Sequence, residues 1–372
     1  MTADVLTPRG LNRATLERQL LIHRSDMPVV AAIEHLVGMQ AQVPLNPYVG
    51  LWSRLERFDP HVLGRLMVDR AVVRIVVMRG TLHLVTADDC LLLRPLFQPV
   101  LDNELARHPD YGPALVGVDV DAALAFARPL LAERPRTGTQ LRAAFAERFP
   151  NLDAAALAYA CRNRLAFLQV PPRGVWGTSA QVTSTTAESW LGRPLVADPS
   201  IDHVVRRYLS AYGPASVADV AAWSGLTGLR EVLERLRPEL RTFRDERGRE
   251  LFDLPDAPRP DPDTPAPPRF LPEYDNVLLS HADRSRFTSP DDRTPVSTAR
   301  IVHGTVLHDG CVVATWRIER DHDRGRHSLV IDHARPINKR TQSSIASEGR
   351  KFVRFHEPDA TSHDVRFVLS PR

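Results

Sequence analysis

The sequence predicts a mainly α-helical protein with additional β structure, that is, an α+β fold. Two observations predict it: helices followed by a charged hairpin recur three times before residue 255, and strand patterns dominate after residue 268. Between these parts, residues 255–268 contain seven prolines, which exclude a helix or a central strand there. We interpret this proline-rich segment as a semi-rigid linker or surface crossing.

The third of the three repeats is the clearest. A helix is predicted at 216–224 and ends at Gly225. A second helix follows, with apolar side chains at core spacing: Leu229, Val232, Leu233 and Leu236. A charged turn at 245–248 then joins two predicted strands. Two helices followed by a charged hairpin are typical of a winged helix-turn-helix motif.

The second repeat covers about 119–181. We expect Thr139 to cap its first helix. The second helix shows amphipathic spacing of Ala154, Leu157, Ala158, Cys161, Leu165 and Leu168. A wing is predicted over 169–176 with Arg173 at its tip, where it would contact a nucleic-acid phosphate rather than a base.

The first repeat is larger. Helices are expected at 13–24, 28–37, 47–55 and 61–69, and strands at 72–78 and 82–85 should pair as a hairpin. Arg79, Thr81 and His83 alternate along that hairpin. Two interpretations stay open: these residues contact a DNA groove, or Arg79 is a turn residue and His83 is half-buried.

The last part of the chain predicts a small β-rich domain. A hairpin is expected from 302–307 and 312–318, further strands at 327–331 and 365–369, and a helix at 338–355. Three winged-helix units are predicted at 1–115, 116–185 and 186–256. A linker at 257–269 and the β-rich domain at 270–372 follow them.

Composition excludes several classes of protein. The chain is 43% hydrophobic and 25% charged, and no apolar run approaches the ~20 residues of a membrane span. The first residues lack a basic-then-apolar leader, so we expect a cytoplasmic, nucleoid-associated protein. The three cysteines lie far apart and indicate neither a disulfide framework nor a zinc site. We therefore expect no metal and no cofactor.

The positive charge is almost entirely arginine, since Lys339 and Lys351 are the only lysines. Arginine suits phosphate contacts and base stacking better than lysine does. GC-rich coding would also favour arginine, and the net charge of +3 is small. The charge therefore permits nucleic-acid binding without requiring it.

The pair Gln40 and Gln42 is the most informative feature of the sequence. It follows an apolar-periodic segment, and Pro44 biases Val43 toward an extended backbone. In an extended segment, residues two apart point to the same side. Two amides aimed at one point could hold a water through one acceptor and one donor. The alternative is that they are ordinary polar residues at a helix end.

Two further clusters are weaker candidates. His281 and Asp283 supply too few ligands for a committed metal site, and structural hydrogen bonding at a domain junction is the favoured interpretation. Tyr274, Asp275 and Asn276 follow the linker and could line a cleft between the two parts.

An ordered set of short motifs runs through nearly the whole chain. These are LERQ at 16–19, GMQAQ at 38–42, LWSRL at 51–55, MRGTLHLV at 78–85, VPPRGVWG at 170–177, LPEYDN at 271–276 and SHADRSR at 280–286. The set resembles the winged-helix DNA glycosylases of the AlkZ-like family.

The resemblance implies a monofunctional DNA glycosylase that removes cationic N-alkylpurines such as N7-alkylguanine from double-stranded DNA. It would serve base excision repair or self-resistance to alkylating agents, and some members of the family unhook interstrand crosslinks. The family's catalytic Gln-apolar-Gln element matches Gln40, Ala41 and Gln42, and a sister branch has Asp at the second position. This chain keeps Gln42, as the crosslink-acting type does. We expect a monomer, since one chain already carries several DNA-binding elements.

The chemistry agrees with this resemblance. An N7-alkylated guanine already carries a positive charge and leaves as a neutral base. Amide dipoles would stabilise the oxocarbenium that develops on the sugar and would place the attacking water. Charged, labile lesions should therefore be cut, and neutral lesions such as uracil should not.

Two other functions remain as alternatives. One is a non-enzymatic tandem winged-helix DNA-binding protein, such as a transcription regulator, because the motif serves binding more often than catalysis. The other is a metal-dependent nuclease that uses His281 and Asp283.

Overall fold

The computed structural model of the protein describes residues 4–288, 302–321, 323 and 325–370. It confirms the predicted mixture of helices and sheets. The helices are α1 (Pro8–Arg18), α2 (Val29–His35), α3 (Asn46–Arg54), α4 (Pro60–Val68), α5 (Ala87–Leu96), α6 (Gln98–Arg107), α7 (Tyr111–Ala114), α8 (Val120–Glu133), α9 (Gly138–Arg148), α10 (Ala154–Arg164), α11 (Ala187–Leu191), α12 (Ile201–Tyr212), α13 (Val217–Ser224), α14 (Leu229–Leu236), α15 (Asn276–Leu279) and α16 (Lys339–His356).

The strands of the described residues form three sheets. They are β1 (Val5–Leu6), β2 (Met39–Gln40), β3 (Val72–Val76), β4 (Leu82–Thr86), β5 (Arg136–Thr137), β6 (Phe167–Gln169), β7 (Thr183–Thr186), β8 (Arg241–Asp245), β9 (Glu250–Asp253), β10 (Arg269–Leu271), β11 (Gly304–His308), β12 (Cys311–Asp321), β13 (Arg326–His333) and β14 (Ser362–Leu369). Their orders are β2-β4-β3-β6-β7-β5, β1-β8-β9 and β10-β11-β12-β13-β14.

The central six-stranded sheet consists of two halves with the same strand order. In the first half, β2 pairs with β4 and β4 pairs with β3. In the second half, β5 pairs with β7 and β7 pairs with β6. Antiparallel pairing of β3 with β6, through Arg74–Gln169 and Ile75–Leu168, joins the halves. The third repeat follows the same rule, because Ala215 bridges to Phe252 in β9, which pairs with β8.

Among the described residues, the element order helix, strand, helix, helix, strand, strand occurs in the first two repeats, and in the third an isolated bridge at Ala215 takes the place of the first strand. This order is consistent with a winged helix-turn-helix arrangement. The helix signals of the third repeat are confirmed: Ser216 caps α13, and Gly225 ends it in the left-handed conformation. The unit boundaries near 115 and 185 stay predictions, since the first two repeats share one sheet.

Several predicted bounds were wrong for local reasons. Helix α1 begins five residues before the predicted start because the Thr7 side chain caps it, and it cannot continue past Leu20, whose φ is +58°. The cap of α9 is Thr137 instead of Thr139, within a capping box that includes Gln140. Helix α10 ends at Arg164, so Leu165 and Leu168 are not helical.

The second wing is larger than expected. Strand β6 pairs with β7, so 169–176 is mostly the loop between the two strands. The tip segment from Pro171 to Gly174 lies within that loop, as predicted.

The C-terminal part is the predicted β-rich unit. Its hairpin β11–β12 turns at Asp309 and Gly310, both with positive φ. Asn338 caps α16, which packs on the sheet through Ile345, Phe352 and Val353. Among the described strands of this sheet, β13 and β14 pair in parallel and the other neighbours pair antiparallel.

The proline-rich segment lies against α1. Arg13 Nε donates to the carbonyl of Thr264 at 2.6 Å, and Arg18 Nε donates to that of Pro258 at 3.1 Å. The segment is thus a surface crossing anchored by side chains. Within the described ranges, no helix has the length and apolar character that crossing a bilayer requires.

Candidate functional site

The segment that carries Gln40 and Gln42 enters the central sheet through a sharp reversal. Val37 and Gly38 both have positive φ, and a Cβ on Gly38 would lie 2.7 Å from Cγ1 of Val85. The chain then forms β2 and pairs with β4, where Gln40 lies opposite His83. The predicted extended backbone is therefore confirmed at Met39 and Gln40.

The two amides border different cavities. Gln40 is 8% exposed and lines a small internal cavity of about 10 Å³. Gln42 is exposed and lines an open cavity of about 380 Å³. Strand β2 ends at Gln40 and the chain bends at Gln42, ahead of Pro44. Among the described residues the two side chains therefore do not line a common cavity, although the sequence predicted that both would face one target.

Gln40 is held by an arginine from the first hairpin. Its Oε1 accepts a hydrogen bond from Nη2 of Arg79 at 3.0 Å, while Nη1 of Arg79 donates to the carbonyl of Trp223 in α13. Burial lowers the pKa of Arg79 to about 10, so the guanidinium stays charged at neutral pH. The side-chain carbonyl of Gln40 thus accepts a hydrogen bond from a cation.

His83 lies beneath this contact and is fully buried. Its Nδ1 donates to the carbonyl of Thr81 at 2.9 Å, and its Nε2 lies 3.5 Å from Nη2 of Arg79. Burial and the neighbouring positive charge of Arg79 lower the pKa of His83 to about 3. The imidazole is therefore neutral near pH 7.

These contacts bear on the interpretation of the hairpin as a DNA-groove element. His83 is 0% exposed, and Arg79 is bound to Gln40 and to Trp223. Thr81 donates its hydroxyl hydrogen to the carbonyl of Met78 at 3.1 Å. The hairpin end faces α13, because Gly225 approaches it so closely that a Cβ there would lie 3.2 Å from Cα of Arg79. These contacts favour the alternative of a turn arginine and a histidine with internal partners, although His83 is fully buried instead of half-buried. The DNA contacts of the half-buried Arg79 and Thr81 stay predictions.

Arg173 lies near a second buried arginine. It is half-buried, and its Nη1 donates to the carbonyl of Ala180 at 2.9 Å. Burial, together with the charge of Arg173, lowers the pKa of Arg74 to about 10. Arg74 Nη2 in turn donates to the carbonyl of Ala41 at 2.7 Å, which fixes the backbone between the two glutamines. The phosphate contact of Arg173 stays a prediction.

The open cavity beside Gln42 was not found by sequence reasoning. Its walls are the first hairpin, helices α9 and α10, and strands β5, β6 and β7. Arginines at its edge are Arg136, Arg142 and Arg162. A cationic cavity of this kind attracts polyanions. The signal that could have found it is a second stripe on α10, formed by Ala155, Ala158, Tyr159 and Arg162 at helical spacing.

The clusters after the linker have structural roles. His281 is 1% exposed, with Nε2 donating to the carbonyl of Tyr212 at 3.0 Å, and Asp283 accepts from Arg247 and Arg249. These contacts agree with the predicted hydrogen bonding at a domain junction. No group of three potential metal ligands occurs in the parts of the chain that the structure describes.

The segment from Tyr274 to Asn276 reaches the small cavity next to Gln40. Asp275 forms a two-pronged ion pair with Arg54, at 2.8 and 2.9 Å, and both side chains are at most 2% exposed. Asn276 Nδ2 donates to the carbonyl of Gly38 at 3.0 Å. This segment therefore supports the chain reversal that precedes Gln40.

Comparison with known proteins adds an independent observation. A family model described as DNA glycosylase AlkZ-like matches residues 33–355. A curated protein of Streptomyces sahachiroi, "Interstrand DNA cross-link repair glycosylase", is 26% identical over 322 residues, which are 82% of this chain and 85% of that protein. The solved structure of "Streptomyces sahachiroi DNA glycosylase AlkZ" matches with a TM-score of 0.75 and 22% identity, covering 99% of this chain and 100% of that one. The latter likeness is one of fold.

Proposed function

The chain belongs to the AlkZ-like family of DNA glycosylases, and on that premise we propose that it hydrolyses the N-glycosidic bond of cationic N-alkylpurines, such as N7-alkylguanine, in double-stranded DNA. The observation that carries the proposal is the position of Gln42. Its exposed amide lies on the wall of a cavity of about 380 Å³ that has three arginines at its edge. Arginines of this kind contact DNA phosphates, which would place a sugar near the amide.

The leaving group explains why a neutral amide suffices. Alkylation at N7 puts a positive charge on the guanine, so the base departs neutral without a proton donor. The demand on the protein is to stabilise positive charge that develops on the deoxyribose and to place one water. A preorganised carbonyl dipole does the first, and a hydrogen bond to the water does the second.

The two glutamines have different parts in this proposal. Gln42 supplies the carbonyl that faces the sugar and its attacking water. Gln40 is a positioning residue, since its Oε1 already accepts from Arg79. It anchors β2 against the first hairpin and thereby sets where the chain bends at Gln42.

Interstrand crosslinks are the second part of the proposal. The Streptomyces sahachiroi relative is named for crosslink repair. A second point is that this chain has Gln, not Asp, at the second position of the Gln-apolar-Gln element. The open cavity beside Gln42 suits a crosslinked base better than a closed pocket would, because the second strand must remain attached during the reaction. DNA with a nitrogen-mustard crosslink is the substrate that tests this part.

The proposal is tested by abasic-site formation in matched duplexes that carry 7-methylguanine or uracil. We expect strand breaks after alkali treatment with 7-methylguanine alone. Absence of breaks with either duplex, at protein concentrations that saturate DNA binding, would support the non-enzymatic DNA-binding alternative for this chain. Equal cleavage of uracil would show that the leaving group is activated by a proton donor.

A further inference from the structure

Arg74 is a buried arginine where the two halves of the central sheet meet. It lies in β3, is 2% exposed, and stands opposite Gln169 of β6. Its Nη2 donates to the carbonyl of Ala41 at 2.7 Å. That carbonyl belongs to the peptide that joins Ala41 to Gln42. The guanidinium therefore holds the backbone directly before the exposed amide on the cavity wall.

This arginine is placed unfavourably for stability. Its Nε and Nη1 are buried without hydrogen-bond partners among the described residues. The charged neighbour that acts on it most is another cation, Arg173, and no carboxylate of the described residues compensates its charge. Buried donors without acceptors and buried charges without counter-ions both cost stability. An apolar side chain of similar size would suit the fold better at this position.

Arg74 also leaves an acceptor on the neighbouring strand unused. Residues directly opposite in an antiparallel pair have adjacent side chains on one face of the sheet. Oε1 of Gln169 is nevertheless buried without a partner among the described residues. An interior arranged for stability alone would pair these two groups. The direction of the guanidinium toward Ala41 therefore indicates a requirement of the site.

The second wing loop keeps the guanidinium in this direction. Gly174 has a φ of +91°, and a Cβ there would lie 3.1 Å from Cδ and 3.2 Å from Nη1 of Arg74. The carbonyl of Gly174 accepts from the hydroxyl of Tyr48 in α3 at 2.8 Å. The loop backbone thus lies against the arginine and is itself anchored.

The peptide group beyond Ala41 is the part of the segment that this contact controls. The amide of Ala41 donates to the carbonyl of Leu82 at 2.8 Å, so both backbone polar groups of Ala41 have fixed partners. The chain bends at the next residue, Gln42, whose side chain lines the open cavity. A rotation of the Ala41 carbonyl would turn the backbone of Gln42 with it.

We propose that Arg74 is a positioning residue for cleavage of the glycosidic bond, which sets the direction of the Gln42 amide by holding the Ala41 carbonyl. The inference rests on the proposed function, in which Gln42 faces the sugar and its attacking water. Arg74 itself is too deeply buried to contact DNA. Its loss should therefore slow bond cleavage and leave DNA affinity unchanged.

Single-turnover kinetics of the full-length protein test this separation. Arg74→Met should slow release of 7-methylguanine about tenfold or more, since displacement of a reacting group by about 1 Å can cost about 100-fold. The dissociation constant for a duplex with 7-methyl-7-deazaguanine, which is not excised, should stay the same. Arg269→Met is the matched control, because Arg269 is also buried and donates to two backbone carbonyls but does not line the cavity. It should keep the full rate.

A double-mutant cycle distinguishes positioning from general support of the fold. If Arg74 acts through Gln42, Arg74→Met should change the rate of Gln42→Ala by less than about threefold, because coupled residues are not additive. A structural role would instead give the same loss in both backgrounds. Arg74→Lys, which keeps a charged donor, serves in the same cycle if Arg74→Met does not fold.

A spectroscopic measurement tests the contact without using activity. Ala-Gln dipeptides occur only at 41–42 and 180–181, so carbon-13 in alanine carbonyls and nitrogen-15 in glutamine give two backbone correlations by NMR. Ala180 accepts from Arg173, which makes the second peptide an internal control. Arg74→Met should move the Gln42 correlation and leave that of Gln181 in place, whereas Arg173→Met should move that of Gln181.

Each outcome decides one claim. A full release rate in Arg74→Met, or an equal loss in both backgrounds of the cycle, would overturn the positioning role. A Gln42 correlation that stays in place in Arg74→Met would overturn it too. Failure of the unaltered protein to release 7-methylguanine would contradict the proposed function, and the Gln42 correlation would then decide whether Arg74 holds this peptide.

Discussion

Nη2 of Arg79 donates to Oε1 of Gln40 at 3.0 Å, and this contact joins the first hairpin to the segment that bears both glutamines. The same guanidinium binds the carbonyl of Trp223, 144 residues later in the chain. One half-buried cation therefore connects the candidate catalytic segment to the third winged-helix repeat. Displacement of either part would shift Gln40.

Replacement of Arg79 tests whether this contact supports function. Arg79→Met should lower the free energy of unfolding by about 2 kcal/mol, since two buried acceptors lose a charged donor. Excision of 7-methylguanine should slow as well, because Gln40 is no longer held. Urea denaturation and single-turnover kinetics below the unfolding transition measure the two effects. Arg70→Met is the control, as Arg70 is exposed and donates to a tryptophan carbonyl, that of Trp190. Full excision activity in Arg79→Met would show that activity does not depend on the hydrogen bond that holds Gln40.

Buried histidines should make stability depend on pH. The pKa of His83 and of His281 is about 3 in the folded protein, chiefly because of burial, and lies near 6.5 in an unfolded chain. Between these values the unfolded state binds more protons, so stability falls as the pH decreases from about 6.5 toward 3. Each histidine contributes a slope of up to about 1.4 kcal/mol per pH unit. His83→Gln should give a shallower slope in urea denaturations across this range, and identical slopes would contradict the assignment.

The ion pair of Arg54 and Asp275 should be costly to break from one side. Both side chains are almost inaccessible, and the pair joins α3 to the segment before α15. Arg54→Met should destabilise the fold by about 3–5 kcal/mol, because the Asp275 carboxylate remains buried without its partner. The exposed pair of Arg206 and Glu239 is the comparison, where Arg206→Met should cost less than about 1 kcal/mol. Equal losses in the two variants would argue against a special role for the buried pair.

Arginines at the open cavity should contribute to the salt dependence of DNA binding. Arg142 is exposed at the cavity edge, and its replacement by Gln should lower the slope of log K against log salt by about 1. Arg148→Gln, on the same helix but outside the cavity lining, serves as the control and should leave the slope unchanged. If Arg148→Gln lowers the slope of log K against log salt and Arg142→Gln does not, the DNA contacts another face of α9.

Local signals in the sequence predicted the elements that their own residues stabilise. Ser216 and Gly225 define α13 by capping and by a left-handed φ, and the turn at Asp309 and Gly310 defines the C-terminal hairpin. Such features depend on a few neighbouring residues. The recurring pattern of helices followed by a hairpin could therefore be predicted from the sequence, whereas the short strands and the first helices of the second and third repeats were not predicted.

The site was predicted less completely because its geometry depends on distant contacts. His83 is buried and Arg79 is half-buried because the hairpin packs against α13, which alternation along a strand does not reveal. The side chains of Gln40 and Gln42 border different cavities because the chain already bends at Gln42, one residue before Val43, on which Pro44 acts directly. The cavity needs α10 and the first hairpin together. The second stripe on α10 indicates one wall of the cavity, but it does not indicate that the first hairpin forms another.

The most direct test of the account is the single-turnover rate of 7-methylguanine release by Gln42→Ala, compared with the unaltered protein and with Gln42→Glu. We expect Gln42→Ala to lose about 100-fold in rate with an unchanged unfolding midpoint, the usual effect of removing one preorganised dipole. Gln42→Glu keeps a carbonyl oxygen toward the sugar and should retain more activity than Gln42→Ala. Release of the base at the full rate by Gln42→Ala would show that the Gln42 amide does not take part in catalysis.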